Sequence, residues 1–204
     1  DGYAVAFISN NGPIDPAGAT KAAQFIHLCN QSGTPIVFLQ NTTSFIVGRA
    51  SEEAGMIKHG AKMIQALSNS QVPHITLHCG ASFGAGNYGM CGRAFHPRFC
   101  FSWPNARSAV MGGEQAATTL DIVARQQAER SGKAVDEARL QAQKAEIVAL
   151  FESQASAFYT SGHLLDDGII DPRQTRDVLS LLLATLREAA VRSPHAMQFA
   201  VPRF

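Results

Sequence analysis

Long apolar runs, an excess of either charge, and any recognisable cluster of metal-binding side chains are all missing from this sequence. The apolar runs are too short and too often broken by charge to span a bilayer as a helix. Lys and Arg number 17 against 16 Asp and Glu, a formal net charge of +1. That leaves no basic footprint for nucleic acid or anionic lipid, so neither nucleic acid nor membrane is expected as a partner. Cysteine is scarce: Cys29, Cys79, Cys91 and Cys100, among small or apolar neighbours and without C-x-x-C spacing. Buried, reduced thiols are the expectation, rather than a disulfide framework or a zinc site. Seven histidines are scattered, and His59, His74 and His78 make no ligand motif, so no metal is expected. The opening DGYAVAFISNNG reads as a strand and turn, not a signal peptide. With no initiator Met, the chain is expected to be a piece of a longer or processed protein.

What is present is ordinary for a globular protein. The apolar fraction is 46% over 204 residues, enough for one domain with a sizeable core. Residues 3–10, 34–41 and 72–79 read as strands. Residues 16–33 read as a helix with Ala22, Ile26 and Leu28-Cys29 inward and Gly33 as its stop. Residues 51–70 read as a second helix, Ser51 its N-cap, with Met56, Met63, Ile64 and Leu67 inward. The alternation of strand, helix and strand predicts parallel strands with crossover helices, an α/β layered fold. Two short strands at 98–104 and 106–113, helices at 114–132 and 134–155, and a closing helix at 172–189 headed by Pro172 complete the expectation. The apolar tail PHAMQFAVPRF is expected to dock on a neighbouring surface.

One stretch stands out. GASFGAGNYGMCGRAF, residues 80–95, holds five glycines and three alanines in sixteen residues and follows the strand VPHITLHC. Small residues let a helix approach a sheet closely. They also bare the backbone N–H groups of a helix N-terminus, which can bind an anion or a developing oxyanion. Gly80, Ser82 and Gly84 match the spacing of a G-x-S-x-G nucleophile elbow, which makes a serine hydrolase a rival. The chain order argues against it: His163 precedes Asp166 and Asp167, whereas that architecture places the acid before the histidine. No nucleophile, base and orienting group assemble from the polar segments.

The blocks NYGMCGRAF, PRFCFSWPNARSAVMGGEQAA, DDGIIDPRQTR and FLQNTTSFIVG, in unbroken order along the whole chain, resemble the carboxyltransferase (β) subunit of biotin-dependent acyl-CoA carboxylases. They are most similar to the branch containing the methylcrotonoyl-CoA and geranyl-CoA enzymes. The resemblance is to the C-terminal half, so residues 1–204 are expected to form one acyl-CoA carboxyltransferase C-terminal domain. It implies a crotonase-like (ClpP/crotonase) α/β fold, a β-β-α spiral of parallel sheet layers with helices outside. It also implies transfer of CO2 from carboxybiotin, carried on a partner subunit, to the γ-carbon of a branched α,β-unsaturated acyl-CoA. ATP is used only by that partner. The implied partners are the acyl-CoA, a biotin carboxylase/biotin carrier α subunit, and further β subunits in a homo-oligomer. A bacterial cytoplasm is the favoured compartment, with the mitochondrial matrix as the alternative.

By motif position, the resemblance assigns the amides that hold the ureido oxygen of biotin to Ala85 and Gly86. Their role is sound physically, because preorganised amides at a helix N-terminus stabilise growing negative charge without a titrating group. Gly84, Thr43 and Phe45 are candidate biotin-pocket residues, with loop chemistry the alternative for Thr43 and core packing for Phe45. Asn87 and Tyr88 are candidates for shaping the acyl pocket, packing being the alternative. Trp103, Asn105 and Arg107 read as a buried structural network, and Lys58 and Lys62 as a solvated face rather than a CoA phosphate site. Gly-Ala-Ser in place of Gly-Gly-Ser, and Phe95 in place of tyrosine, favour geranyl-CoA over 3-methylcrotonoyl-CoA. A CoA decarboxylase or other crotonase-type enzyme, or an inactive biotin- or partner-binding fragment, are the alternatives. The fragment alone is expected to be inactive.

Overall fold

The computed structural model describes residues 1–132 and 135–193. The expected docking tail, from Pro194 onward, and Ala134, the first residue of one expected helix, lie outside them. Five strands form one parallel sheet: β1 (Ala6–Ser9), β2 (Ile36–Thr42), β3 (His74–Phe83), β4 (Phe99–Ser102) and β5 (Arg107–Ala109). The order is β1-β2-β3-β4, and β5 pairs with β3 as well. β3 is shared along its length: Ile75–His78 face β4, and Ala81–Phe83 face β5.

Alternation along β2 builds the two faces. Ile36 and Phe38 point into one cluster, with Ala19, Ala23, Ile26 and Cys29 of α1 (Pro16–Ser32) and Met56, Met63, Ala66 and Leu67 of α3 (Met56–Ser68). Val37 points the other way and joins Ile75 of β3 and Leu182, Leu183 and Leu186 of α8 (Thr175–Val191). Helices on both faces bury β2 and the first half of β3, as parallel strands require, while edge strand β1 keeps Phe7 half exposed.

Local signals explain most boundaries. Asp15 accepts a hydrogen bond from Gly18 N and caps α1, and Gly33 ends it in the left-handed conformation, φ 66°. The expected inward Leu28 is half exposed instead; Ala19 and Ala23 complete the buried stripe with Ile26 and Cys29. The expected helix over 51–70 is two helices, α2 (Arg49–Glu53) and α3, broken at Gly55, φ 83°. Ser51 therefore lies inside α2 rather than capping it, and Gly60 and Ala66, not Ile64, join the buried positions. α5 (Gly113–Arg130) and α6 (Glu137–Ala155) follow, the latter capped by Asp136. A short α7 (Ala157–Gly162), not expected from the sequence, begins at Ser156, whose hydroxyl accepts from Tyr159 N. Pro172 opens a 3-10 turn that leads into α8.

Candidate functional site

The glycine-rich stretch is half strand. β3 runs on through Gly80, Ala81, Ser82 and Phe83, and only at Gly84, φ 55°, does the chain turn into α4 (Gly84–Gly89). The extension is made by Asn41. The pairing of β2 with β3 shifts register between Gln40 and Thr42. Asn41 fills the irregularity, its Oδ1 accepting from Ala81 N at 2.9 Å and its Nδ2 donating to Asn11 Oδ1 at 2.6 Å. The Asn41 side chain also occupies the space a Cβ at Gly80 would need.

α4 starts without a cap. Phe83 offers no side-chain acceptor, and no hydrogen bond among the described residues uses the amides of Ala85 or Gly86. The first four amides of a helix have no partner within it, so two N–H groups remain available at this point. Ala85 is exposed and Gly86 is buried. A Cβ on Gly86 would stand 2.6 Å from Thr42 Oγ1 and 2.8 Å from Ser44 Cα, so only glycine lets the helix come this close. Ser44 itself holds φ at 145°, a region that costs a side-chain-bearing residue roughly 1–3 kcal/mol.

Beside this turn lies a cavity of about 360 Å³ whose walls include Thr43, Phe83, Arg107 and Phe151, with Gly112 to Gln115 at the start of α5. Glu114 sits in the first turn of α5, where its charge suits the helix dipole. Of the residues singled out in the sequence, Gly84, Ala85 and Gly86 form the turn itself and Thr43 stands on the cavity wall. Phe45 packs beneath, against Gly60 and Gly89, as part of the core. Asn87 turns its amide inward to Ser82, and Tyr88, 49% exposed, meets Phe95 edge-on at 6.1 Å. Trp103 donates to Thr175 Oγ1, Asn105 to the Cys79 carbonyl and Arg107 to the Glu152 carbonyl; these are structural bonds, although Asn105 and Arg107 are exposed rather than buried. Lys58 and Lys62 are exposed.

Ser82 is not poised as a nucleophile. It is fully buried, its hydroxyl donates to Gln40 Oε1 at 2.6 Å and accepts from Asn87 Nδ2 at 2.6 Å. His163 packs against Tyr159 in a tilted pair, ring centroids 4.3 Å apart at 54°. The residues that sequence reasoning missed are Gln40 and Ser44. Gln40 carried one signal, a polar residue inside the apolar run IVFLQ; Ser44 carried none. The buried polar residues elsewhere form a second chain. Ser102 donates to Asp166 at 2.6 Å and contacts His78 Nδ1 at 3.2 Å, while His78 Nε2 faces the Cys100 thiol. Burial pulls His78 down to about 4 despite the opposing Asp166 charge, and burial pushes Cys100 up to about 12. This chain ties β3, β4 and the 166–168 turn together. All four cysteines are free, and no group of three or more metal-ligating side chains exists among the described residues. No helix among them is long and apolar enough to cross a membrane.

At the C-terminal end of β3, a glycine and alanine turn leads into α4 with the Ala85 and Gly86 amides unused among the described residues. The carboxyl transferase domain family matches residues 1–199, and the chain belongs to it. A Mycobacterium tuberculosis protein described as "Probable biotin-dependent acyl-coenzyme A carboxylase beta2 subunit" is 50% identical over 192 residues, 94% of this chain and 36% of that protein. The mitochondrial methylcrotonoyl-CoA carboxylase beta chain of Arabidopsis thaliana is 49% identical over 183 residues, 90% of this chain and 31% of that one. The solved beta subunit of Pseudomonas aeruginosa geranyl-CoA carboxylase superposes with a TM-score of 0.89 at 50% identity, covering 100% of this chain and 38% of that subunit. The expected crotonase-like α/β class is that of this carboxyltransferase neighbour. The chain spans roughly a third of the length of these relatives.

Proposed function

We propose that these residues are the biotin-facing, C-terminal half of the carboxyltransferase site in a biotin-dependent acyl-CoA carboxylase β subunit. The observation that carries this reading is the pair of uncapped amides at Ala85 and Gly86, brought against Thr42 and Ser44 by a glycine whose Cβ would collide there. The cradle suits a flat ureido ring: it offers donors, and small residues leave the backbone bare. When bound, the carboxylated ureido group supplies CO2 and then a basic nitrogen. The Ala85 and Gly86 amides donate to the ureido oxygen as charge grows there, already oriented and needing no proton transfer of their own. Thr43 and Phe83 wall the approach, and Phe45 supports the turn from beneath. The cofactor supplies the chemistry and these residues orient it, which explains why Ser82, His163 and Asp166 form no triad.

The acyl-CoA half of the site belongs to the portion of the β subunit outside these residues, supplied by another β subunit of the oligomer. The isolated 204 residues are accordingly inactive. Geranyl-CoA is the favoured substrate and 3-methylcrotonoyl-CoA the next, supported by Gly-Ala-Ser at 80–82 and Phe95, the likenesses to the geranyl-CoA and methylcrotonoyl-CoA enzymes being near-equal at 50% and 49% identity. The test is carboxylation by the full-length β subunit with its biotinylated α subunit, ATP and bicarbonate, each acyl-CoA offered alone. Geranyl-CoA turnover is expected, falling about 10²–10³-fold in kcat when Ala85→Pro removes one amide donor. Turnover of neither substrate by an intact complex overturns the reading.

A further inference from the structure

We infer that the buried Gln40–Ser82–Asn87 relay is the positioning device for the α4 amides, an inference that rests on the role just proposed for Ala85 and Gly86. α4 has no stability of its own. It is six residues long and three of them are glycine, whereas isolated helices of this length do not form and each glycine costs about 1 kcal/mol against alanine. Its orientation must come from outside, and four short polar contacts supply it. Gln40 Nε2 donates to the Met90 carbonyl at 2.5 Å, and Thr76 Oγ1 donates to the Cys91 carbonyl at 2.5 Å. Ser82 Oγ donates to Gln40 Oε1, and Asn87 Nδ2 donates to Ser82 Oγ. One fully buried glutamine thus grips both ends of α4: the carbonyl after its last residue directly, and its first turn through Ser82 and Asn87.

The direction of every bond is forced. The Met90 carbonyl can only accept, so Gln40 must turn its NH2 to it and its oxygen to Ser82. The Ser82 hydroxyl must then donate to Gln40, which leaves its lone pair for Asn87. Gln40, Thr42, Thr76 and Ser82 are each completely buried, so breaking a link leaves a desolvated polar atom without its partner and removes a restraint on α4.

The test uses the full-length β subunit with its biotinylated α subunit. Ser82→Ala cuts the relay at its centre. It is expected to lower kcat about ten- to a hundredfold, the scale of a misplacement near 1 Å, with KM for acyl-CoA within about twofold because that site lies elsewhere. Gln40→Glu provides a pH readout. Protonated, the carboxyl still donates to Met90 and accepts from Ser82; ionised, it cannot donate. Burial raises its pKa, so kcat relative to the parent enzyme should recover as pH falls, a response that loss of folded protein would not give. Ala85→Pro run alongside separates the two ideas. If Ala85→Pro loses turnover while Ser82→Ala and Gln40→Glu keep parental kcat per folded enzyme, the relay inference is overturned and the amide reading stands. If Ala85→Pro keeps parental kcat, the amide reading fails and takes this inference with it.

Discussion

Adding one methyl group at Gly86 tests whether close approach of α4 matters. The new Cβ would lie 2.8 Å from Ser44 Cα, 3.0 Å from Ser44 N and 2.6 Å from Thr42 Oγ1. Non-bonded carbons settle at about 3.5 Å or beyond, so α4 must retreat by about 0.7 Å or the Thr42–Ser44 segment must yield. Two of those three neighbours are backbone atoms, and Ser44 is already held at a positive φ, so the helix is the part that moves. Overpacking of this kind costs about 1–3 kcal/mol, partly offset by the roughly 1 kcal/mol that alanine gains over glycine in a helix. A displacement approaching 1 Å of groups that hold a reacting atom costs up to about 10²-fold in rate. Gly86→Ala is therefore expected to lower kcat of the complete enzyme by about 10- to 10²-fold with only a modest fall in melting temperature. Gly162→Ala is the control, because a Cβ there meets nothing within 4 Å. Parental kcat and melting temperature in Gly86→Ala would refute the reasoning, since the collision would then be absorbed without moving the amides.

Three further outcomes follow from other parts of the structure. A serine-directed phosphonate should leave Ser82 unlabelled in the folded protein, because its hydroxyl is buried and committed on both sides; mass-spectrometric detection of a Ser82 adduct would revive the hydrolase reading. Stability should fall on acidification from about pH 6.5 to 4. His74 and His78 are both lowered from 6.5 to about 4 chiefly by burial, so in that window the unfolded chain binds protons the native one refuses, a difference on the order of 3 kcal/mol per ring. Denaturant unfolding at pH 7 and pH 5 checks it, and equal midpoints would contradict the burial of these rings. Thiol titration at pH 8 should find at most the half-buried Cys79 reacting, and slowly, with its thiol pushed up to about 11; Cys91 and Cys100, raised to about 12 by burial, should react only after unfolding.

The sequence determined the alternation of elements, because the signals for it are local. Asp15 before Pro16, Gly33 after Ser32 and the apolar run at 36–39 each fix a boundary through their own side chains or backbone preference. It also marked Gly84, Ala85 and Gly86 as the place to look, since so little side chain between a strand and a helix is unusual, and its long ordered blocks were enough to indicate the family. It misplaced Leu28 and Ser51 because helix periodicity does not reveal where a second helix stops covering the first, or that Gly55 breaks the run. Only the tertiary structure decided what Gln40, Ser44 and Ser82 do. Ser82 matches a nucleophile motif in sequence, yet a hydroxyl's role depends on its partners, and those partners, 42 residues away on β2 and five residues on in α4, meet it only when the strands pair. Ser44 looked like ordinary loop until folding pressed its backbone against Gly86. Local chemistry sets where strands and helices begin and end; which buried polar groups face one another, and how near two backbones come, is set by packing across residues far apart in the chain.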